Sequence, residues 1–153
     1  MIIYAETLKD FIEDVDLNQL ESRLVNSFKR QTGSVPSDRN VWADEYTRFA
    51  NVLRRATVDD DIQVALEYHI SAAGRLRLDA MLIGNDGEND NALIFELKAW
   101  SDADKSDIPE MVWAPYGGGR DSQHPCVQAR KYKSRILNFN ADIVEKNVGV
   151  ESA

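Results

Sequence analysis

Two apolar segments of strand length, each interrupted by one acidic residue, constrain this chain more than any other feature. They cover residues 77–84 and 92–100, and the polar spacer between them contains an Asp-Gly pair. Such a spacer between strand-like segments predicts a β-hairpin. The interrupting acids are Asp79 and Glu96, and ionised side chains are rarely buried in a sheet without a partner or a metal.

The hairpin would bring these acids together with a lysine. Side chains alternate between the two faces of a strand, so Glu96 and Lys98 are expected on one side, with Leu97 on the other. If the two segments pair, Asp79 lies close to that side. Two carboxylates and one ammonium group would then share a patch of a largely buried sheet. The alternative is a surface hairpin with an ordinary Glu–Lys pair, which the apolar neighbours disfavour.

Composition predicts one soluble domain with a sizeable core. The chain has 153 residues, of which 43% are hydrophobic and 29% charged, with one cysteine, Cys126, and two histidines. These counts exclude an internal disulfide framework, a cysteine-based zinc site and a His-rich metal site. No segment reaches membrane-spanning length, and residues 1–4 lack the features of a signal peptide. We therefore predict a cytoplasmic protein with no membrane partner.

Basic residues are concentrated in one part of an acidic chain. The net charge is −8, yet residues 116–139 carry five basic residues and one acid, a local charge of +4. This distribution suits a protein that meets phosphates along one edge, and a solvated helix face accounts for it equally well. The predicted nucleic-acid-binding residues are Arg120, Arg130, Lys131, Lys133 and Arg135.

The other elements are predicted from apolar periodicity and capping residues. We expect helices over about 8–13, 16–32, 39–55 and 125–137, and a strand over 62–70. Residues 101–123 are expected to form a long loop. The predicted order of the longer elements is helix, helix, three strands, loop, helix. The only signal for a later strand is weak, at 148–150, so the last helix has no clear strand to cover.

Three further acids have uncertain surroundings in the sequence. Glu21 shares the apolar face of its predicted helix with Leu17 and Val25, so it either reaches water at the edge of that face or is held toward the site. Glu67 either joins the acidic cluster or lies on the solvent face of its strand. Glu45 is expected to be a surface charge beside the buried stripe of its helix.

The central residues would support phosphodiester hydrolysis. Asp79 and Glu96 offer hard oxygen ligands, and the Leu97 carbonyl is a third. Two carboxylates with waters and substrate phosphates are the usual way in which proteins hold Mg²⁺. Lys98 would orient a water or stabilise developing negative charge. Gln128 and Tyr132, four residues apart on one face of the last helix, would bond phosphate or groups around the metal.

Together, Asp79, the segment 96–98 and the Gln-x-x-x-Tyr pattern at 128–132 resemble a PD-(D/E)xK nuclease, with the restriction-endonuclease-like fold. The pattern at 128–132 is similar to that of the RecB-type exonuclease branch. The resemblance spans nearly the whole chain and extends to bacterial proteins in which such a domain precedes a P-loop DNA/RNA helicase. The chain departs from the family pattern in having no proline before Asp79, and it contains no helicase motif.

The resemblance implies an α/β fold with an αβββαβ core, in which helices flank a mixed sheet. It implies one nuclease domain over residues 1–153, at the N-terminal end of a longer helicase-containing protein. It also implies dependence on Mg²⁺ or Mn²⁺, a metal-site role for Glu21, and action on DNA in repair or in defence against foreign DNA. Two alternatives remain open: a catalytically inactive nucleic-acid-binding module of a helicase, and an RNA-directed nuclease.

Overall fold

The computed structural model describes residues 1–37, 39–70, 76–115 and 119–153, with the backbone alone for Asn40. In chain order the elements are β1 (Ile2–Thr7), α1 (Leu8–Asp16), α2 (Leu20–Thr32), α3 (Arg39–Leu53), β2 (Gln63–His69), β3 (Arg77–Asn85), β4 (Asp90–Phe95), β5 (Asp104–Lys105), β6 (Met111–Ala114), β7 (Arg120–Gln123), α4 (Pro125–Phe139), α5 (Ala141–Glu145) and β8 (Gly149–Ser152).

The main sheet has five strands in the order β1-β2-β3-β4-β8. The first four pair antiparallel, and β8 pairs parallel with β4. The succession α3-β2-β3-β4-α4-β8 gives the predicted αβββαβ order, and the mixed sheet flanked by helices confirms the predicted fold class. The weak strand signal at 148–150 corresponds to β8, so the last helix does have a strand to cover; the signal was weak because β8 is only four residues long.

The sheet carries a hydrophobic core on each face. One layer joins the sheet to α1, α2 and α3, and its largest buried side chains include Phe11, Leu24 and Trp42. The other joins it to α4 through residues such as Ile94 and Ile136. Burying a side chain of this size contributes about 1.5–3 kcal/mol of transfer free energy, so both helical layers are held firmly against the strands.

The predicted helix ends are largely confirmed. Thr7 Oγ1 accepts a hydrogen bond from the Asp10 backbone N–H at 3.1 Å, and Gly33 ends α2 with a φ of 74°. Pro125 occupies the first turn of α4, where its missing N–H has no intrahelical role. The start of the second helix was wrong: α1 extends to Asp16, α2 begins at Leu20, and Leu17 between them is exposed.

The central hairpin forms as predicted, but its second strand is shorter. β3 and β4 pair in a register that sets Ala80 opposite Phe95, where β4 ends. Residues 96–100 therefore continue beyond the ladder. The long loop predicted over 101–123 was also wrong in part, because β5, β6 and β7 form a separate antiparallel sheet within it. Strands of two to four residues are too short to show an alternating pattern.

The alternation of side chains reverses partway along β2. Leu66 and its partner Ala80 belong to the core layer of α1–α3, whereas Tyr68 and its partner Leu78 pack in the layer of α4. Between them, Glu67 has a left-handed backbone with a φ of 55°, which costs roughly 1–2 kcal/mol for a residue with a Cβ. The reversal lies beside Asp79, the residue between Leu78 and Ala80.

Candidate active site

Seven of the predicted site residues line one cavity of about 570 Å³ at the open end of the β3–β4 hairpin: Asp79, Glu96, Leu97, Lys98, Arg120, Gln128 and Tyr132. Its walls come from α3, β3, the segment after β4, β7 and α4. The charged side chains that line it are Glu45, Arg77, Asp79, Glu96, Lys98 and Arg120. Among the described residues, three acids and three bases thus surround this polar cavity, where the sequence predicted two carboxylates and one ammonium group.

Asp79 anchors the segment that follows β4. Its Oδ2 accepts a hydrogen bond from the Leu97 backbone N–H at 2.8 Å. This bond continues the link between the two strands after the ladder has ended, so the segment around Leu97 stays beside β3. The prediction that Asp79 lies close to Glu96 and Lys98 is confirmed, although a side-chain bond rather than a strand ladder is responsible.

A chain of hydrogen bonds runs from Glu96 to α4. Lys98 Nζ contacts Glu96 Oε1 at 2.5 Å and donates to Gln128 Oε1 at 3.2 Å. Gln128 Nε2 in turn donates to the Tyr132 hydroxyl at 2.7 Å. The Lys98 ammonium also lies 5.8 Å from the centre of the Trp100 ring, within cation–π range. Gln128 and Tyr132 therefore fix the position of Lys98 from the helix.

Burial dominates the protonation behaviour of the two acids. The Glu96 side chain is only 2% exposed, and burial, followed by the nearby negative charge of Asp79, raises its pKa to about 7, against the opposing effect of Lys98. The pKa of Asp79 is also raised by burial, although the Leu97 hydrogen bond and Lys98 oppose the shift. Burial likewise raises the pKa of Tyr132 to about 12.

Two buried polar atoms of residues that line this cavity have no hydrogen-bond partner within the described part of the chain. They are Glu96 Oε2 and Trp42 Nε1. Buried polar groups are nearly always satisfied, and an exception calls for a ligand, an ion or a water. Glu96 Oε2 is therefore buried without a hydrogen-bond donor from the described residues, and the neighbouring Asp79 can share a hydrogen bond with Glu96 only when one of the two acids is protonated.

These acids fit a divalent cation that is completed by other ligands. Across residues 1–37, 39–70, 76–115 and 119–153, no three His, Cys, Asp or Glu side chains are arranged to hold a metal ion. Asp79 and Glu96 make a two-carboxylate set, and Leu97 lines the same cavity. Mg²⁺ usually takes one or two carboxylates and fills its remaining positions with waters and phosphates. The donor set therefore suits Mg²⁺ or Mn²⁺ with a phosphate substrate.

Glu45, not Glu21, faces the cavity from a helix. Glu21 lies in the first turn of α2 and is exposed, so the structure does not bring it to the other site residues. Glu45 is half-buried on α3 and lines the cavity, which corrects its interpretation as a surface charge. Its spacing from Val41 and Trp42 on one helix face could have indicated this position.

The predicted phosphate-binding residues are divided between two surfaces. Arg120 on β7 lines the cavity of the carboxylates. Arg130 and Lys133 line another cavity, of about 830 Å³, and Lys133 pairs with Glu151 at 2.8 Å. The other two basic residues of α4, Lys131 and Arg135, are exposed, and Arg135 stacks on Phe139. The basic face of α4 is therefore distinct from its Gln128–Tyr132 face.

Comparisons with known proteins gave no match to a family model, a curated protein or a solved structure. Within the described residues, no helix is both long and apolar enough to cross a membrane.

Proposed function

We propose that this chain is a nuclease domain that depends on Mg²⁺ or Mn²⁺ and hydrolyses phosphodiester bonds of DNA. The observation that carries the proposal is the burial of Asp79 and Glu96 together, with Glu96 Oε2 unpartnered and Lys98 in contact with the other Glu96 oxygen. Two buried carboxylates side by side repel each other unless a shared proton or a cation neutralises them, and a bound divalent cation would do so.

The chain's own residues divide the chemical tasks between them. Asp79 and Glu96 would hold the cation, which when bound acidifies a water and polarises a phosphoryl oxygen. Lys98, fixed by Gln128, is placed to orient the attacking water or to stabilise negative charge on the phosphate. Tyr132 acts through Gln128 by accepting its hydrogen bond. The water oxygen would form a new P–O bond as the P–O bond to the leaving oxygen breaks, the water would give up one proton, and the leaving oxygen would take up one.

The wider role extends the same proposal. The domain is proposed to act in the cytoplasm, in repair or in defence against foreign DNA, with a helicase domain in the same polypeptide. A half-buried tryptophan beside Lys98 and the exposed Arg120 give the cavity an aromatic and a basic wall. Both features suit a nucleic-acid strand, since bases stack on aromatic rings and phosphates meet arginine.

Titration calorimetry with Mn²⁺ and a cleavage assay test the proposal together. The wild-type chain should bind Mn²⁺ and cleave DNA in its presence, and Asp79→Ala should lose both. The matched control is Asp104→Ala, because Asp104 is an exposed acid on β5 away from the cavity. Equal cleavage by wild type and Asp79→Ala would overturn the assignment. Cleavage of RNA but not DNA would redirect the substrate while keeping the chemistry.

A further inference from the structure

A buried carboxylate outside the proposed metal site organises an arginine on the cavity wall. Glu67 is 2% exposed and lies at the left-handed position of β2. Its Oε2 lies 2.7 Å from Nε of Arg77, and its Oε1 accepts a hydrogen bond from the Tyr46 hydroxyl at 2.6 Å. The same hydroxyl lies 3.2 Å from the Asp79 carbonyl oxygen. Helix α3 and strands β2 and β3 are thus tied together at this point.

Arg77 faces the reacting groups from β3. It is two residues from Asp79 on the same strand and lines the same cavity, with its side chain 30% exposed. Its positive charge lowers the pKa of both Asp79 and Tyr132, which places it within electrostatic reach of both groups. A guanidinium carries five N–H donors in a fixed plane, so one edge can pair with Glu67 while another meets an anion.

We propose that Arg77 binds a phosphate oxygen of the nucleic-acid strand in this cavity, and that Glu67 is a positioning residue that holds the guanidinium toward it. This inference rests on the proposed function, because it assigns the strand to the same cavity. It adds a phosphate-binding residue on strand β3, in addition to Lys98 and the basic residues of α4.

A phosphate in this cavity would meet acids as well as two arginines, Arg77 and the exposed Arg120. Glu45, Asp79 and Glu96 would repel a phosphate, and Lys98 is already engaged by Glu96 and Gln128. Arg77 is a basic residue that is fixed to the sheet by a buried acid. A guanidinium held in one orientation loses little further entropy when it binds an anion. The strained backbone at Glu67 therefore belongs to a residue that holds Arg77 in place for binding.

Salt-dependent binding tests this assignment without relying on cleavage. The probe is a fluorescein-labelled single-stranded oligodeoxynucleotide, followed by anisotropy in Ca²⁺ over a series of salt concentrations. Removing one phosphate contact should make the plot of log Kd against log salt shallower by about 0.7. Arg77→Gln should show this change and bind roughly tenfold more weakly. Arg48→Gln is the matched control, because Arg48 is exposed on α3 and does not line the cavity.

Glu67→Gln separates positioning from charge. It removes a negative charge, so charge alone predicts tighter binding of the anionic probe, whereas loss of positioning predicts weaker binding. The Gln side chain can still accept the Tyr46 hydrogen bond, and a thermal melt confirms folding. The double variant Glu67→Gln/Arg77→Met removes both charges together, leaves no buried unpaired acid, and should match Arg77→Gln in salt slope.

The outcomes distinguish this inference from the proposed function. An unchanged slope in both the Arg77→Gln and the double variant overturns the role of Arg77, even if the wild type cleaves DNA. Tighter binding by Glu67→Gln overturns the role of Glu67. Salt-dependent binding that depends on Arg77, without cleavage in Mg²⁺ or Mn²⁺, supports the inference and refutes the hydrolytic function. Failure of the wild type to bind the probe overturns the inference.

Discussion

Asp14 and Glu96 both have buried carboxylates, but their surroundings differ. Asp14, in α1, accepts a hydrogen bond from the Tyr4 hydroxyl at 2.7 Å and pairs with Arg23, which also pairs with Glu6. Glu96 has Lys98 on one oxygen, no partner within the described residues on the other, and a second acid beside it. Satisfied buried charges hold elements together, whereas an unsatisfied one on a cavity wall indicates a ligand.

The largest expected effect is on the cleavage rate and comes from a substitution beside Glu96. Lys98→Met keeps the apolar stem and removes the ammonium, so the cleavage rate should fall about 10²–10³-fold because charge on the phosphate is no longer stabilised. The free energy of unfolding should change by less than about 1 kcal/mol, since Glu96 can take up a proton instead. Steady-state cleavage and urea unfolding measure the two quantities.

The matched control for this variant is Lys105→Met, because Lys105 is exposed on β5. It should retain the wild-type rate. Wild-type cleavage by Lys98→Met would show that the ammonium has no chemical role.

An intermediate effect is expected on the free energy of unfolding when the buried Asp14 loses its charge. Asp14→Asn keeps the shape of the side chain but removes the charge that pairs with Arg23, whose side chain is 42% exposed. The free energy of unfolding should fall by about 1.5–3 kcal/mol, the usual range for a hydrogen bond to a charged group. Cleavage should be unchanged in conditions where the variant is folded.

Asp44→Asn is the comparison for Asp14→Asn, since Asp44 forms an exposed pair with Arg48 on α3. Its effect should stay below about 0.5 kcal/mol. Equal losses from the two variants in urea unfolding would show that burial of Asp14 adds nothing to stability.

The smallest expected effect concerns pH, with the protein free of metal. The pKa of Glu96 is about 7 in the folded chain and near 4.5 without its surroundings. Between these values the folded state binds the extra proton, so its stability falls as pH rises from 4.5 through 7. Over this pH range, we expect the free energy of unfolding of the wild type to fall by roughly 1–3 kcal/mol more than that of Glu96→Gln.

Urea unfolding of wild type and Glu96→Gln, in a chelator and at a series of pH values, gives this difference. A difference that is constant with pH would contradict the raised pKa. A wild-type chain that instead gains stability over this window, relative to the variant, would show that Glu96 is held as a carboxylate by its neighbours.

The fold was largely predictable because its main elements are long or strongly patterned. Helix α3 buries Trp42, Tyr46, Phe49, Ala50 and Leu53 as its periodicity indicates. The hairpin could be predicted because Asp-Gly separates two apolar runs, and it set Asp79 beside the segment of Glu96 and Lys98. The Gln128–Tyr132 contact follows from helical spacing alone. Local patterns therefore predicted much of the site.

Features that depend on tertiary placement could not be predicted in the same way. Glu21 and Glu45 both lie near apolar stripes, and only the packing of α3 over the end of β3 decides between them. The sequence allows two interpretations of Glu67, because no local pattern indicates a left-handed residue within a strand. The separate sheet of β5, β6 and β7 consists of pairings that have no strong sequence pattern.

The left-handed residue in β2 narrows what its position can tolerate over evolutionary time. The backbone at Glu67 favours glycine, asparagine or aspartate, whereas the span to Arg77 and Tyr46 calls for a side chain as long as glutamate. A β-branched residue, ordinarily favoured in strands, would meet neither demand. Position 67 should therefore vary little among functional descendants of this chain, and in random mutagenesis it should reject the apolar residues that suit its buried neighbours Val64, Ala65 and Leu66.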